Sequence, residues 1–192
     1  MAASSARLSF PAQRSDCDAL IEPAPLSERG FFLRAAVDDD LPWLRELYAS
    51  TRAEEMTPVP WPEATKRAFL EQQFELQHRH FISHFAGADF WLVEGLQGPI
   101  GRLYRDRADS ADARADDLIV DICFLPAWRG HGLGGVLLSA AQAAAAARGR
   151  GLKLHVQVHN TRALSLYQRL GFTITSTAGA HTEMRWPAAK IS

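Results

Sequence analysis

The sequence predicts a single α/β domain built on a mixed central sheet with helices on both faces. Three observations predict it. A chain of 192 residues, 47% of them hydrophobic, can close one sizeable core. In its second half, apolar runs of strand length alternate with stretches of helical period. Residues 118–125 are apolar on both faces except for the carboxylate of Asp121, the mark of a strand buried in mid-sheet.

The elements follow in order. Residues 1–29, rich in Ala, Ser, Pro and Arg without a period, read as a poorly ordered N-terminal extension. The acidic residues Asp16, Asp18, Glu22 and Glu28 argue against a transit peptide. The domain is expected over 30–187, with 188–192 as a C-terminal tail. Residues 31–37 read as a strand, after which Asp38, Asp39 and Asp40 offer N-caps. The helix they open carries Leu41, Leu44, Leu47 and Tyr48 at helical spacing to about residue 54 or 55, with Pro42 tolerated in its first turn.

Pro58, Pro60 and Pro62 make the next segment a loop, since each removes a donor and restrains its predecessor. Phe69, Leu70, Phe74, Leu76 and Phe81 mark a second helix over about 63–84. Strands at 90–94 and 100–105 flank a Gly- and Pro-containing reversal and predict a hairpin, followed by a polar loop at 106–117. Beyond the buried strand, the Ala-rich stretch 132–148 predicts a long helix that Gly149 and Gly151 can end. A strand at 152–158, a short helix at 160–170 stopped by Gly171, and strands at 172–176 and 183–186 complete the chain.

Several functions are disfavoured. A net charge of -1 and a pI near 6.7, with no basic stripe among aromatics, give no footprint for nucleic acid. No apolar run approaches the roughly 20 residues that cross a bilayer, and no secretion signal opens the chain, so a cytoplasmic protein without membrane contact is expected. Cys17 and Cys123 are too far apart for a disulfide framework or zinc spacing, and Cys123 reads as a small core residue. His78, His80 and His84 lack further ligands at a recognisable spacing, so they read as a solvated helix face and no metal is expected.

The chemistry-bearing motif is Arg129-Gly130-His131-Gly132-Leu133-Gly134-Gly135, between the buried strand and the Ala-rich helix. Glycines let backbone N–H groups approach a diphosphate, and the helix N-terminus adds about half a positive charge. Gly130, Gly132 and Gly135 satisfy G-x-G-x-x-G, yet about 20 residues on stands Leu152-Lys153-Leu154-His155, where a dinucleotide fold needs an acid. No G-K-[ST] follows, which removes the Walker loop. An anion-binding turn and a Gly-rich turn without a ligand are left.

From about Leu118 to Phe172 the sequence resembles the GNAT superfamily of acyl-CoA N-acyltransferases. Arg129, Gly132 and Gly134 fall in register with the family's R/Q-x-x-G-x-G/A motif after its fourth strand. Asn160, Ala163, Leu166-Tyr167 and Gly171-Phe172 match the motif that follows its next strand. The resemblance implies a GNAT-like fold whose central strands splay apart, with acetyl-CoA (coenzyme A) as cofactor. It implies cofactor contacts from Phe124, Leu125, Arg129, Gly130, His131, Gly132, Leu133, Gly134 and Gly135, and from Asn160, which also suits a helix cap. Tyr167 matches the family tyrosine beside the cofactor sulfur, where its hydroxyl acts as general acid; the bland reading is a Tyr packed on the core.

The amine must also lose a proton, since a free alkylamine has a pKa near 10. Asp121 is the candidate base, because a carboxylate in an apolar strand is costly unless paired or used; a structural bond to backbone or an Arg serves equally. A water chain to Glu54 or Glu55 is the fallback. For the acceptor, Arg52 would grip a carboxylate, Glu54 or Glu55 a second ammonium, and Trp43 or Trp61 an apolar part. The expected function is transfer of an acetyl group to a primary amine of a small molecule or peptide N-terminus. A non-catalytic acyl-CoA sensor or interaction module and a protein lysine acetyltransferase are the alternatives, and the sequence neither requires nor excludes a homodimer.

Overall fold

The computed structural model describes residues 8–12, 24–108 and 115–187. Its elements are α1 (Ala24–Ser27), β1 (Phe32–Ala35), α2 (Leu41–Met56), α3 (Glu63–His84), β2 (Asp89–Gly95), β3 (Gly98–Asp106), β4 (Asp117–Phe124), α4 (Leu133–Ala147), β5 (Leu152–Gln157), α5 (Thr161–Arg169), β6 (Thr173–Ala178) and β7 (His181–Trp186). The strands form one seven-stranded sheet in the order β1-β2-β3-β4-β5-β7-β6. All neighbours are antiparallel except β4 and β5, which are parallel and are joined through α4.

Each face of the sheet carries its own core, because strand alternation sends successive side chains to opposite sides. On one face, Leu44, Leu47 and Tyr48 of α2 and Phe74 and Phe81 of α3 pack with Phe90, Leu92 and Tyr104. On the other, Leu133, Leu137, Leu138 and Ala141 of α4 and Tyr167 of α5 pack with Trp91, Leu103, Ile119 and Leu154. Each fully buried Leu contributes about 1.5–3 kcal/mol. The Gln142 amide donates to Leu170 O at 2.8 Å, tying α4 to the end of α5.

Two pieces of the stretch read from sequence as an extension are packed onto the domain. Leu26 of α1 is fully buried in the α4 core. Phe10 meets His78, Phe90 and Tyr104 edge-on, at centroid distances of 4.8, 5.4 and 6.5 Å. Its amide donates to Asp38 Oδ1 at 2.8 Å, and His78 Nε2 bonds Leu8 O at 2.7 Å. The boundary expected at residue 30 is corrected to that extent, while residues 1–7, 13–23 and 188–192 of the expected extension and tail lie outside the described residues.

The same contacts correct the reading of His78 as a solvated residue: it is buried, stacked on Phe74, while His80 and His84 are exposed. Asp40 does not cap α2 with its side chain. It takes a bidentate bond from Arg34 at 2.7 Å and accepts the Val37 amide at 2.8 Å instead. Among the described residues no helix is long and apolar enough to cross a membrane, and no group of three or more His, Cys, Asp or Glu could hold a metal ion.

Candidate active site

The site begins where β4 and β5 part. They pair only at Asp117↔Leu152, Leu118↔Lys153 and Ile119↔Leu154. Beyond Ile119, β4 continues along β3 to Phe124, whereas β5 continues along β7 to Gln157. The two strands therefore diverge, as the splayed strands of the family resemblance require. The Leu125 amide bonds Ile100 O on the β3 side. Alternation back from there turns the amide and carbonyl of Ile122 and the amide of Phe124 toward the gap.

A bulge sets which side chains meet there. Tyr104 pairs with Asp121 and Arg105 with Ile119, so Val120 is the extra residue in β4. Val120 packs into the α2/α3 core, and Asp121 bonds to Arg102 on that same face. Strict alternation along a regular strand would set Asp121 on the face opposite Val120; the bulge instead returns the two consecutive side chains to one side.

Asp121 is paired. Arg102 Nε donates to its Oδ2 at 2.6 Å, and Arg102 Nη2 donates to Gln77 Oε1 of α3 at 2.9 Å. The Arg102 guanidinium lies over the Tyr104 ring at 4.9 Å and is held well above its ordinary pKa by Asp121, burial acting against it. Cys123 Sγ lies 3.5 Å from the same carboxylate oxygen. Burial first, then Asp121, pushes the Cys123 thiol up to about 12, so it stays protonated.

Tyr167 enters from α5 on the other face. Its residue is 8% exposed, and its ring lies 6.0 Å from Phe172. Burial, then the negative charge of Asp121, then Cys123, pushes its hydroxyl up to about 12. Tyr167, Asp121 and Cys123 thus share one electrostatic environment at the divergence. Asn160 accepts the Ala163 amide at 3.1 Å, the helix cap expected of it.

The glycine turn lies beside this gap. Gly130 and Gly132 hold φ of +86° and +79°, the left-handed region that costs an L side chain about 1–2 kcal/mol. Gly132 is the N-cap of α4, and a Cβ there would meet nothing within 4 Å, so the turn is open on that side. Gly134 and Gly135 face Leu166, with hypothetical Cβ distances of 3.7 and 3.8 Å, an ordinary contact, so packing against α5 does not itself demand glycine at either position. Arg162, which the sequence reading passed over, brings its Nη2 within 2.5 Å of where a Gly130 Cβ would stand.

The remaining expected residues are accounted for as follows. Arg129 Nε donates to Phe124 O at 2.9 Å and its Nη2 to Ser50 O at 3.3 Å, so the guanidinium fixes the turn between β4 and α2. Phe124 O is engaged by that bond, and Leu125 O accepts the Trp128 amide at 2.9 Å. His131 O accepts Arg29 Nη2 at 2.9 Å. Leu133 is buried in the α4 core. Arg52 bonds Glu55 at 3.0 Å and lies over the Tyr48 ring at 5.6 Å, leaving Glu54 exposed. Trp61 is exposed and meets Phe69 edge-on at 5.5 Å.

Residues 86–174, which run from just before β2 through the divergence, the glycine turn and α5 to the start of β6, match the family model described as the acetyltransferase (GNAT) domain. That stretch of the chain carries a GNAT acetyltransferase domain. Solved GNAT structures carry the same fold. A PaiA N-acetyltransferase from Thermoplasma acidophilum in complex with coenzyme A is 16% identical, with a TM-score of 0.61 over 82% of this chain and 98% of that one. RimL, a ribosomal-protein α-N-acetyltransferase in complex with coenzyme A, is 17% identical, with a TM-score of 0.58 over 83% and 94%. A spermidine N-acetyltransferase chimera from Vibrio cholerae and hSSAT is 20% identical, with a TM-score of 0.55 over 82% and 95%. Among curated proteins none matches the chain in sequence. Identities this low make the likeness one of fold.

Proposed function

We propose that this chain transfers an acetyl group from acetyl-CoA to a primary amine, on a small molecule or a peptide N-terminus. The observation that carries the reading is the parting of β4 and β5 after Ile119 and Leu154, with an open glycine turn at one end and Tyr167 behind it. The residues present suit the cofactor. The left-handed Gly130 and Gly132 and the N-terminus of the 15-residue helix α4 suit a diphosphate. Arg162 stands over that turn as an exposed cation. The amide and carbonyl of Ile122, which alternation turns toward the gap past the last β4–β5 pair, suit an amide-containing arm.

Acetyl-CoA supplies the activated acyl carbon and a thiol leaving group. The Tyr167 hydroxyl, a neutral phenol throughout the ordinary pH range, is the donor to the leaving sulfur. Backbone donors of β4 at the gap are preorganised for the carbonyl oxygen. Asp121, already holding Arg102, keeps a fixed carboxylate beside that donor and orders the β4 bulge.

The test is thiol release from acetyl-CoA over a panel of primary amines, run beside calorimetry with coenzyme A. Amine-dependent turnover that falls in Tyr167→Phe supports the reading. Tight coenzyme A binding with no turnover of any amine makes the chain an acyl-CoA sensor instead.

A further inference from the structure

Residues 8–12 stand far ahead of the stretch that matches the acetyltransferase domain, yet they pack against two residues that adjoin the Arg102–Asp121 pair. The first is Tyr104. It is the Cα partner of Asp121 across β3 and β4, it is fully buried, and the Arg102 guanidinium lies 4.9 Å from its ring centroid. Phe10 meets that ring edge-on at 6.5 Å and, with Phe81 at 5.9 Å and Phe90 at 4.8 Å, closes an aromatic box around it. The second is His78, which meets Phe10 at 4.8 Å and bonds Leu8 O. Its neighbour in α3, Gln77, accepts Arg102 Nη2. The segment thus touches both supports of Arg102, the ring under its guanidinium and the helix turn that carries Gln77.

Its own hold is slight. Phe10 is half-buried, and its ring is joined by two hydrogen bonds, the Phe10 amide to Asp38 Oδ1 at 2.8 Å and His78 Nε2 with Leu8 O at 2.7 Å. Ordering the backbone of 8–12 opposes those few contacts, so the segment can leave without unfolding the sheet behind it. We propose that residues 8–12 are a detachable strap: docked, it holds Arg102 on Asp121 and the cleft floor in place; released, it loosens both, and with them the positioning of the acceptor amine. Only the last step rests on the acetyltransferase reading above. The physical link is enclosure. Tyr104, Phe81 and α3 keep water from Arg102, and an ion pair in a dry site is stronger than in a wet one. When Phe10 leaves, Tyr104 and His78 lose their cover and water enters beside Arg102. Asp121 and Cys123, whose Sγ lies 3.5 Å from the same carboxylate oxygen, then lose their fixed positions.

Cys123 reports on that floor without turnover. In a full-length Cys17→Ser chain it is the remaining thiol, and its enclosure makes alkylation by iodoacetamide slow. Phe10→Ala in that chain should speed the alkylation about tenfold, at a rate insensitive to low urea, since the opening is local. Asp38→Ala, an exposed change that removes the acceptor of the Phe10 amide, should act in the same direction and decides the matter if Phe10→Ala does not fold. Unchanged alkylation, or a rise that tracks global unfolding in urea, overturns the proposal.

The same chains are assayed for thiol release from acetyl-CoA with spermidine and triglycine. Phe10→Ala should lower kcat/KM for whichever amine the parent chain accepts about tenfold, while coenzyme A affinity, read by calorimetry, is unchanged. Faster alkylation with undiminished kcat/KM overturns the strap's control of the acceptor, and a parallel loss of coenzyme A affinity overturns it as a general disturbance of the fold. Faster alkylation in Phe10→Ala, with no amine turned over even by the parent chain, supports the strap's hold on the floor and overturns the acetyltransferase reading instead.

Discussion

Arg102 and Asp121 form a pair in which the cation is almost wholly enclosed, at 3% side-chain exposure, and the carboxylate is 24% exposed at the floor of the cleft. A buried pair contributes little net stability, but breaking it from one side leaves a costly charge. Arg102→Met should therefore cost about 3 kcal/mol or more in urea unfolding, and Arg102→Met with Asp121→Leu should recover much of that loss. A double variant no more stable than Arg102→Met would mean that the two groups are not coupled.

Tyr167 offers a test of the acid. With its hydroxyl pushed up to about 12, chiefly by burial, the phenol stays protonated in any assay at or below about pH 10. Tyr167→Phe should lower kcat about 100-fold while coenzyme A affinity, read by calorimetry, changes little. A variant that keeps full kcat removes Tyr167 from the chemistry and leaves it a core residue beside Phe172.

Gly101 tests how tightly the β4 side of the gap is built. A Cβ there would stand 2.5 Å from Phe124 Cδ1 and 2.7 Å from Cys123 O, and backbone cannot yield as a flexible side chain does. Gly101→Ala should cost about 1–3 kcal/mol in chemical denaturation and impair turnover, because Phe124 and the strand edge beside it must shift. Wild-type stability in that variant would show the strand edge to be adaptable.

His78 gives a pH signature. Burial first, then the nearby Arg102 and Arg45, lower its pKa below the ordinary 6.5, against opposing contributions from Leu8 O and Asp38. The unfolded chain then binds the proton more readily. The stability His78 contributes is present above about pH 6.5 and is lost as pH falls through the depressed value. Acid should thus loosen the Leu8–Phe10 segment first, read as faster proteolysis there, and His78→Phe should flatten that dependence. Equal acid sensitivity in the variant would contradict it.

Much of this was legible in the residues. The glycines after a buried strand announced a left-handed turn at the head of α4, and Asn160 announced a cap, because both signals are local. Asp121 was legible as an anomaly, but its partner was not: Arg102 lies 19 positions away on a neighbouring strand, and only sheet pairing joins them. The bulge at Val120 leaves no mark in an apolar run, so the phase of β4 could not be read. His78 looked like its exposed neighbours because helical spacing does not say that Phe10 covers that face.

The central claim is that the main-chain turn at Gly130–Gly132 receives the diphosphate of coenzyme A, and isothermal titration tests it most directly. Wild type should bind coenzyme A saturably. Gly132→Ala, which meets no atom within 4 Å and suffers only its left-handed backbone, should weaken that binding about tenfold without unfolding the chain. No binding by a folded wild type, or equal affinity in the variant, would contradict the account.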